Sequence, residues 1–258
     1  MTLERIPLRV HLSGRMTVDA DGTRIGPDDF PGPQGRATFA FLVGHRGTPV
    51  TRDSLAEALW PPGPPPSWDA SLSSIVSRLR ALLAGAGLDT STSIEAGGGC
   101  YELFLPRGTW IDHEVATDAI HEAETALKRA DPAAAYGPSA VAHHIARRPF
   151  VPGEEGHWFE RRREKLAAIL VRALECRARV YLWNEEHPLA VEAARDAVAL
   201  RPFRESGYRL LMRAHAAAGN AAEALRVYED CRALMSQELG VTPSPETKAV
   251  RSELLRSL

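Results

Sequence analysis

The spacing of apolar residues changes twice along the chain. Near the start, Leu8, Val10 and Leu12 alternate with polar residues, and Met16 and Val18 continue the alternation toward a glycine-bearing turn. A period of two places alternate side chains on one face of an extended backbone, which is typical of a half-buried strand. This segment is therefore predicted to form a pair of strands joined by a turn.

Three helices are predicted next, because apolar residues now recur every three or four positions. The first covers 34–45, and the second runs from Thr51, whose hydroxyl can cap the first turn, to Trp60. A proline-rich segment stops the second helix, since proline lacks the amide hydrogen and cannot continue a helix. The third helix runs from about Trp68 to Ala84. Its apolar stripe consists of Leu72, Ile75, Val76, Leu79, Leu82 and Leu83.

A hairpin is predicted after the third helix. Residues 92–96 and 100–105 have strand-like composition, and the glycine triplet 97–99 lies between them. A glycine-rich segment between two strands lacks the following helix that phosphate-binding loops use, so the triplet is interpreted as a turn.

Alanine-rich helices make up the rest of the chain. From about residue 112 the alternation ends, and the similar segments 190–194 and 221–225 lie about 31 positions apart, close to the period of tetratricopeptide repeats. Such repeats stack as helix pairs, so an all-α repeat array is predicted. We expect two independently stable domains, 1–110 and 111–258.

Composition narrows the class of protein. Of the 258 residues, 44% are hydrophobic and 25% are charged, which suits a globular chain rather than a disordered one. Neither a run of 18 apolar residues nor a leader-like start is seen, so no membrane partner and a cytoplasmic location are expected. The three cysteines lie far apart and are interpreted as small buried hydrophobes.

Motifs for catalysis and metal binding are missing from the sequence. His121-Glu122 begins like a zinc-protease motif, but Thr125 stands where the second histidine ligand is needed. The neighbouring residues His143 and His144 would project about 100° apart on a helix and would not converge on one ion. No phosphate-binding loop or nucleophile elbow occurs. The chain is expected to be a non-enzyme without metal or cofactor.

The third predicted helix has a polar face opposite its leucines. Ser74, Ser77 and Arg78 lie on this face among small alanines, with Ser73 and Arg80 on its flanks. Serine hydroxyls can bond phosphate oxygens, and an arginine can read guanine in the DNA major groove. An ordinary amphipathic helix with a solvated outer face has the same pattern, so both interpretations stay open on these residues alone.

The order of elements and several motifs resemble a known family. Two strands, three helices and a hairpin look like the winged helix-turn-helix of OmpR-type regulators, with Ser-Ile-Val-Ser-Arg-Leu-Arg-Ala-Leu-Leu in the third helix. The remainder resembles the bacterial transcriptional activator domain, most specifically in Glu-Leu-Gly-Val-Thr-Pro-Ser-Pro-Glu-Thr at 238–247. Together these parts resemble the Streptomyces antibiotic regulatory protein (SARP) family.

The resemblance implies a function. It implies a mixed fold, with an N-terminal α+β winged helix-turn-helix and a C-terminal all-α, tetratricopeptide-like domain. It also implies a homodimeric activator that binds double-stranded operator DNA through Ser73, Ser74, Ser77, Arg78 and Arg80, and that recruits RNA polymerase with its sigma factor, often for secondary metabolism. In OmpR-type proteins the loop before the third helix contacts polymerase. Here that loop contains Pro62, Gly63, Pro64, Pro65 and Pro66.

The charge balance supports a second hypothesis. Residues 1–110 contain ten arginines and no lysine against eleven acidic residues, a net charge of −1, whereas DNA-binding domains usually carry a basic excess. The glycine-rich hairpin tip also lacks an arginine. The alternative is a tetratricopeptide-like module for protein interaction or ligand sensing, whose winged helix binds DNA weakly or not at all.

Overall fold

A computed structural model describes residues 8–20, 22–86 and 93–256, and it has the mixed fold class predicted above. The chain forms two compact units. One contains Met1–Val115 and Arg148–Leu166, and the other contains Ala116–Arg147 and Ala167–Leu258. Each unit is described by itself below.

The first unit combines strands with short helices. Its elements are β1 (Leu8–His11), β2 (Thr17–Ala20), β3 (Thr23–Ile25), α1 (Gly32–Val43), β4 (Val50–Thr51), α2 (Arg52–Leu59), α3 (Trp68–Gly85), β5 (Ser93–Gly97), β6 (Cys100–Phe104) and β7 (Trp110–Ile111). The predicted strand pair, three helices and hairpin are all confirmed. The short strands β3, β4 and β7 have no sequence prediction, because two or three residues are too few to show a period.

The strands form two small sheets. In the first, the order is β3-β2-β1-β7, with β1 antiparallel to β2 and parallel to β7. In the second, the order is β4-β6-β5, and all pairs are antiparallel. Strand β6 pairs with β4 at the residue before α2, so the second sheet ties the hairpin to the start of that helix.

The three helices share one apolar core. In α1, residues 37–43 are all buried, and α1 contacts both α2 and α3. The predicted Thr51 cap is confirmed, because its hydroxyl oxygen accepts a hydrogen bond from the Ser54 amide at 3.1 Å. The helices are therefore held by burial on one side and leave the opposite side of α3 in solvent.

A distant segment completes this unit. The Val151 amide donates to the Leu12 carbonyl at 2.7 Å, and the Trp158 ring centroid lies 4.8 Å from that of Phe41. Residues 148–166 thus pack with the N-terminal part of the chain. Division of the chain after residue 110 into two independently stable domains stays a prediction. Such a division would separate residues 148–166 from their packing partners in the N-terminal part.

The second unit is an array of helices. It contains most of α4 (Asp112–Lys128) and α6 (His157–Trp183), together with α5 (Pro132–Ala146), α7 (His187–Leu200), α8 (Glu205–Ala217), α9 (Ala221–Leu239) and α10 (Pro245–Arg256). Helix α8 packs on α7 and α9, and α10 packs on α8 and α9. This sequential packing confirms the predicted repeat-like architecture.

Small residues let these helices approach closely. Ala190, Ala194, Ala214 and Ala224 are completely buried in one core with Met212. A Cβ atom added at Gly207 on α8 would lie only 3.1 Å from a methyl group of Val198 on α7, so glycine permits this close contact. The alanine-rich composition is thus explained by packing, because larger side chains would force the helices apart.

The motif at 238–247 forms a junction between α9 and α10. Gly240 ends α9 in the left-handed conformation, at φ 67°, which glycine adopts without strain. Ser244 precedes α10 and donates from its amide at 2.9 Å and from its hydroxyl at 2.8 Å to the Glu205 carboxylate. Thr247 is completely buried. The residues that carry the family resemblance most specifically therefore hold the array together.

Candidate nucleic-acid interface

Helix α3 separates its residues into two faces. Leu72, Ile75, Val76, Leu79 and Leu83 are buried against the core of the first unit. The opposite side is exposed and consists of Ala70, Ser74, Ser77, Arg78 and Ala81. The predicted polar face is confirmed as a solvent-facing surface whose small side chains would allow another molecule close to the helix.

Arg52 links three elements at one flank of this face. From the first position of α2, its Nε donates to Asp69 Oδ1 at 2.7 Å, and its Nη2 donates to Ser73 Oγ at 2.8 Å, both on α3. Its Nη1 donates to the hydroxyl of Tyr101 on β6, and the guanidinium lies over the Tyr101 ring, 5.1 Å from the centroid. One side chain thereby fixes α2, α3 and the hairpin relative to one another.

The Ser73 hydroxyl has hydrogen-bond partners within this arrangement, and its predicted DNA contact stays a prediction. Its hydroxyl donates to the Asp69 carbonyl at 2.9 Å while its oxygen accepts from Arg52. A serine hydroxyl has a single donor hydrogen, and phosphate oxygens are acceptors only. In this conformation Ser73 has no donor left for a phosphate, although it is exposed.

Arg80 is partly used inside the unit as well. Its Nε donates to the Ile94 carbonyl on β5 at 2.7 Å, which fastens the hairpin to α3. Its two terminal nitrogens carry four further hydrogens, so the exposed side chain keeps donors for a ligand. Among the predicted contact residues, Ser74, Ser77 and Arg78 lie together on the exposed face, whereas Ser73 and Arg80 also support it.

The hairpin formed by β5 and β6 lies beside α3. Its turn contains Gly98 and Gly99 at φ 57° and 76°, a left-handed conformation that requires glycine here. The Gly99 carbonyl accepts a hydrogen bond from the Arg52 amide at 3.1 Å, so the turn is tied to the start of α2. The predicted turn is confirmed, and its exposed tip offers backbone groups in place of basic side chains.

The proline-rich loop between α2 and α3 is exposed throughout 61–67. The Gly63 amide donates to the Trp60 carbonyl at 2.7 Å, and the Trp68 amide donates to the Pro65 carbonyl at 2.9 Å. Both tryptophans at its ends are half-buried. The loop is thus a short, internally bonded projection that is anchored by partly exposed aromatic rings.

Sequence reasoning missed the network of Arg52, Asp69 and Tyr101. Two signals were available in the sequence: an arginine directly after a helix cap, and an aspartate one helical turn before Ser73. Neither signal identifies the partners of Arg52. Asp69 lies 17 positions and Tyr101 lies 49 positions from Arg52 along the chain, and the three residues meet only in the folded unit.

The described part of the chain contains no group of three or more histidine, cysteine or acidic residues placed to hold a metal ion. Cys176 and Cys231 are buried, as predicted, and burial raises the pKa of each thiol to about 11. Cys100 differs from the prediction, since it is half-exposed at the start of β6. Within the residues described, none of the helices is long and apolar enough to cross a membrane.

Several known regulatory proteins are similar to this chain in sequence. Regulatory protein AfsR of Streptomyces griseus is 32% identical over 225 residues, which cover 87% of this chain and 22% of AfsR. Transcriptional regulatory protein EmbR of Mycobacterium tuberculosis is 30% identical over 255 residues, which cover 95% of this chain and 62% of EmbR. The chain therefore spans less than two thirds of either relative.

A solved structure extends the similarity to the fold. M. tuberculosis EmbR, determined in complex with a low-affinity phosphopeptide, superposes with a TM-score of 0.85 at 26% identity, covering 97% of this chain and 65% of that one. The family model of the bacterial transcriptional activator domain matches residues 111–255. The chain thus belongs to the bacterial transcriptional activator domain family, and with its N-terminal winged helix it has the architecture of the SARP regulators.

Proposed function

We propose that this protein is a sequence-specific DNA-binding transcriptional activator that works without catalysis. The observation that carries the proposal is the exposed face of α3, where Ser74, Ser77 and Arg78 stand among alanines while the other side of the helix is buried. In winged-helix proteins of the helix-turn-helix class, the recognition helix lies in the major groove. Family membership supports regulation of transcription, because AfsR and EmbR are named as regulatory proteins.

Each side chain on this face has a distinct task in the proposal. Arg78 reads guanine, since its fork can donate to both O6 and N7. Ser74 and Ser77 donate to phosphate oxygens and set the position of the helix on the duplex. Because phosphate contacts carry no sequence information, loss of either serine should weaken binding to all sequences by a similar factor.

The test is a titration of Arg78→Ala against operator and scrambled DNA, once a selection from random duplexes has supplied the operator. The specific complex should lose about 1–3 kcal/mol, and discrimination at one base pair should relax. Arg15→Ala is a matched control, because its side chain is 74% exposed in the loop between β1 and β2. Unchanged affinity and selectivity of Arg78→Ala would reject the assignment.

We further propose that the loop containing Pro62, Gly63, Pro64, Pro65 and Pro66 contacts RNA polymerase, including its sigma factor. The loop joins α2 to the proposed recognition helix, so docking of α3 would hold it beside the duplex. Prolines restrict the unbound loop and lower the entropy lost on binding a partner. Its full exposure supports a contact role.

Replacement of residues 62–66 by glycine and serine tests this contact. Operator affinity should stay within about twofold, while transcription in vitro should fall, because the flexible loop pays more entropy to bind polymerase. Full transcription with the flexible loop would refute the contact. Loss of DNA binding would refute it too, and would show instead that the prolines position α3.

The helical unit is proposed to supply protein contacts, including those of a homodimer. It exposes several large apolar side chains, namely Tyr136, Val141, Trp183, Leu189, Leu200 and Phe203. Exposed apolar side chains are a feature of association surfaces. Sedimentation of the purified protein over a range of concentrations would detect self-association. DNA and polymerase as partners would place the protein in the bacterial cytoplasm.

A further inference from the structure

Asp69 stands in the first turn of α3, where a recognition helix brings its residues to the base edges. Its side chain is 66% exposed and lies on the same flank as Ser73, one turn earlier. A carboxylate at this position is unexpected for a surface that approaches phosphates, because like charges repel. The charge of Asp69 is offset by a neighbouring arginine.

Arg52 neutralises the carboxylate and fixes its direction. Both Nε and Nη2 of Arg52 lie within 2.7 Å of Asp69 Oδ1, and Nη2 also donates to the Asp69 carbonyl at 2.9 Å. The Arg52 side chain is itself only 23% exposed and is held over Tyr101. A paired carboxylate carries little net charge toward the phosphates. Since Arg52 uses Oδ1, the second oxygen, Oδ2, is available to accept a hydrogen bond.

The major groove contains few partners for such an acceptor. Guanine presents N7 and O6 and thymine presents O4, which are all acceptors, whereas cytosine presents the N4 amino group as a donor. Adenine presents a donor beside an acceptor, which suits an amide better than a carboxylate. Of the four bases, cytosine therefore fits the free oxygen of Asp69.

We infer that Asp69, oriented by Arg52, is a specificity-determining residue that accepts a hydrogen bond from a cytosine amino group in the operator. The inference rests on the proposed function, and it adds a base contact outside the exposed serine and arginine face. It also gives the Arg52 network a purpose beyond stability, because the network presents an acceptor to the groove.

The test is a selection of random DNA duplexes by the full-length wild type and by Asp69→Asn. The wild type should enrich a motif with a cytosine at one position. Asp69→Asn should lose that cytosine, because its NH2 group is a donor in the place of Oδ2 and favours a base that presents an acceptor, such as guanine or thymine. Replacing this cytosine in the operator should weaken wild-type binding about 5- to 150-fold, and it should affect Asp69→Asn much less. Asp28→Asn, whose side chain is 94% exposed, is the control and should select the wild-type motif.

The possible results separate the inference from the proposed function. If the wild type and Asp69→Asn enrich the same motif, with the same preference at every position, DNA recognition stands and the role of Asp69 is refuted. If the wild type enriches no motif, the proposed function fails and the inference fails with it. Circular dichroism melting of Asp69→Asn provides the check on folding, and the melting curve should change little, because the Oδ1 atom of asparagine can still accept the hydrogen bonds from Arg52.

Discussion

Asp112 offers the sharpest test of how the first unit is held together. This residue is only 2% exposed and lies at the start of α4. Oδ2 accepts hydrogen bonds from the amides of Leu12 at 2.9 Å and Ser13 at 2.7 Å, and Oδ1 accepts one from the His113 amide at 2.7 Å. One side chain thus satisfies three buried amides and joins the end of β1 to a helix a hundred residues later.

Asp112→Asn changes this site by replacing one oxygen with an NH2 group. If the amide oxygen faces Leu12 and Ser13, the NH2 group meets the N–H of His113, and the opposite orientation places it against two N–H groups. The better orientation loses one bond to a charged acceptor, worth about 1.5–3 kcal/mol, and weakens the other two. We therefore expect the free energy of unfolding of the first unit to fall by about 2–4 kcal/mol.

Urea denaturation followed by tryptophan fluorescence measures this loss. Four of the five tryptophans, at positions 60, 68, 110 and 158, belong to the first unit, so the signal reports mainly its unfolding. Asp28→Asn makes the same chemical change at an exposed position and should alter stability by less than about 0.5 kcal/mol. If Asp112→Asn alters stability as little as this control does, the three amides must find other partners, and the reasoning is refuted.

Three further outcomes are expected. Trp158→Ala should lower the free energy of unfolding by about 3–5 kcal/mol, because its ring is buried among Phe41 and other aromatics. Trp183→Ala, at a 59% exposed position, should change it little. Equal effects of the two substitutions in urea denaturation would contradict the packing. Burial opposes ionisation of Glu205, but hydrogen bonds from Thr247 and Ser244 hold its pKa below the ordinary value, so its stabilisation is lost as pH falls through that lowered pKa. Glu205→Gln should flatten the fall in stability below about pH 4.5, and an unchanged pH profile would refute this. Finally, a plot of the logarithm of DNA affinity against the logarithm of salt concentration should have a slope of magnitude below about 3, because α3 exposes only two cations that could neutralise phosphates. A slope near 6 would show many more phosphate contacts.

Local signals account for the elements that the sequence predicts. The stripe of α3 and the Thr51 cap each depend on residues within one or two turns, so periodicity and capping rules locate them to within a few residues. The hairpin is found for the same reason, because glycines mark its turn. The exposed serine and arginine face follows directly from the stripe, since α3 can bury only one side.

Long-range contacts explain what sequence reasoning missed. Asp112 bonds to residues 99 and 100 positions away, and Trp158 packs on Phe41, so neither role leaves a local pattern. The same holds for Ser73, whose polar character predicts exposure correctly but cannot show that Arg52 and Asp69 occupy its hydroxyl. A fragment of residues 111–258 would contain Trp158 without its partner Phe41, so its folding is the direct test of the predicted boundary.

The near-neutral charge of the first unit has a structural explanation. Several of its arginines are paired with carboxylates inside the unit: Arg24 with Asp19, Arg36 with Glu154, Arg46 with Glu114, and Arg52 with Asp69. These cations are used to hold the fold and cannot also release many counterions from DNA. If α3 docks in the groove as proposed, binding by one copy would depend on a few contacts made by this helix, which would favour the correct sequence more than they add affinity. Under the same proposal, a second copy on a neighbouring half-site would double those contacts, so affinity would come from association and selectivity from α3.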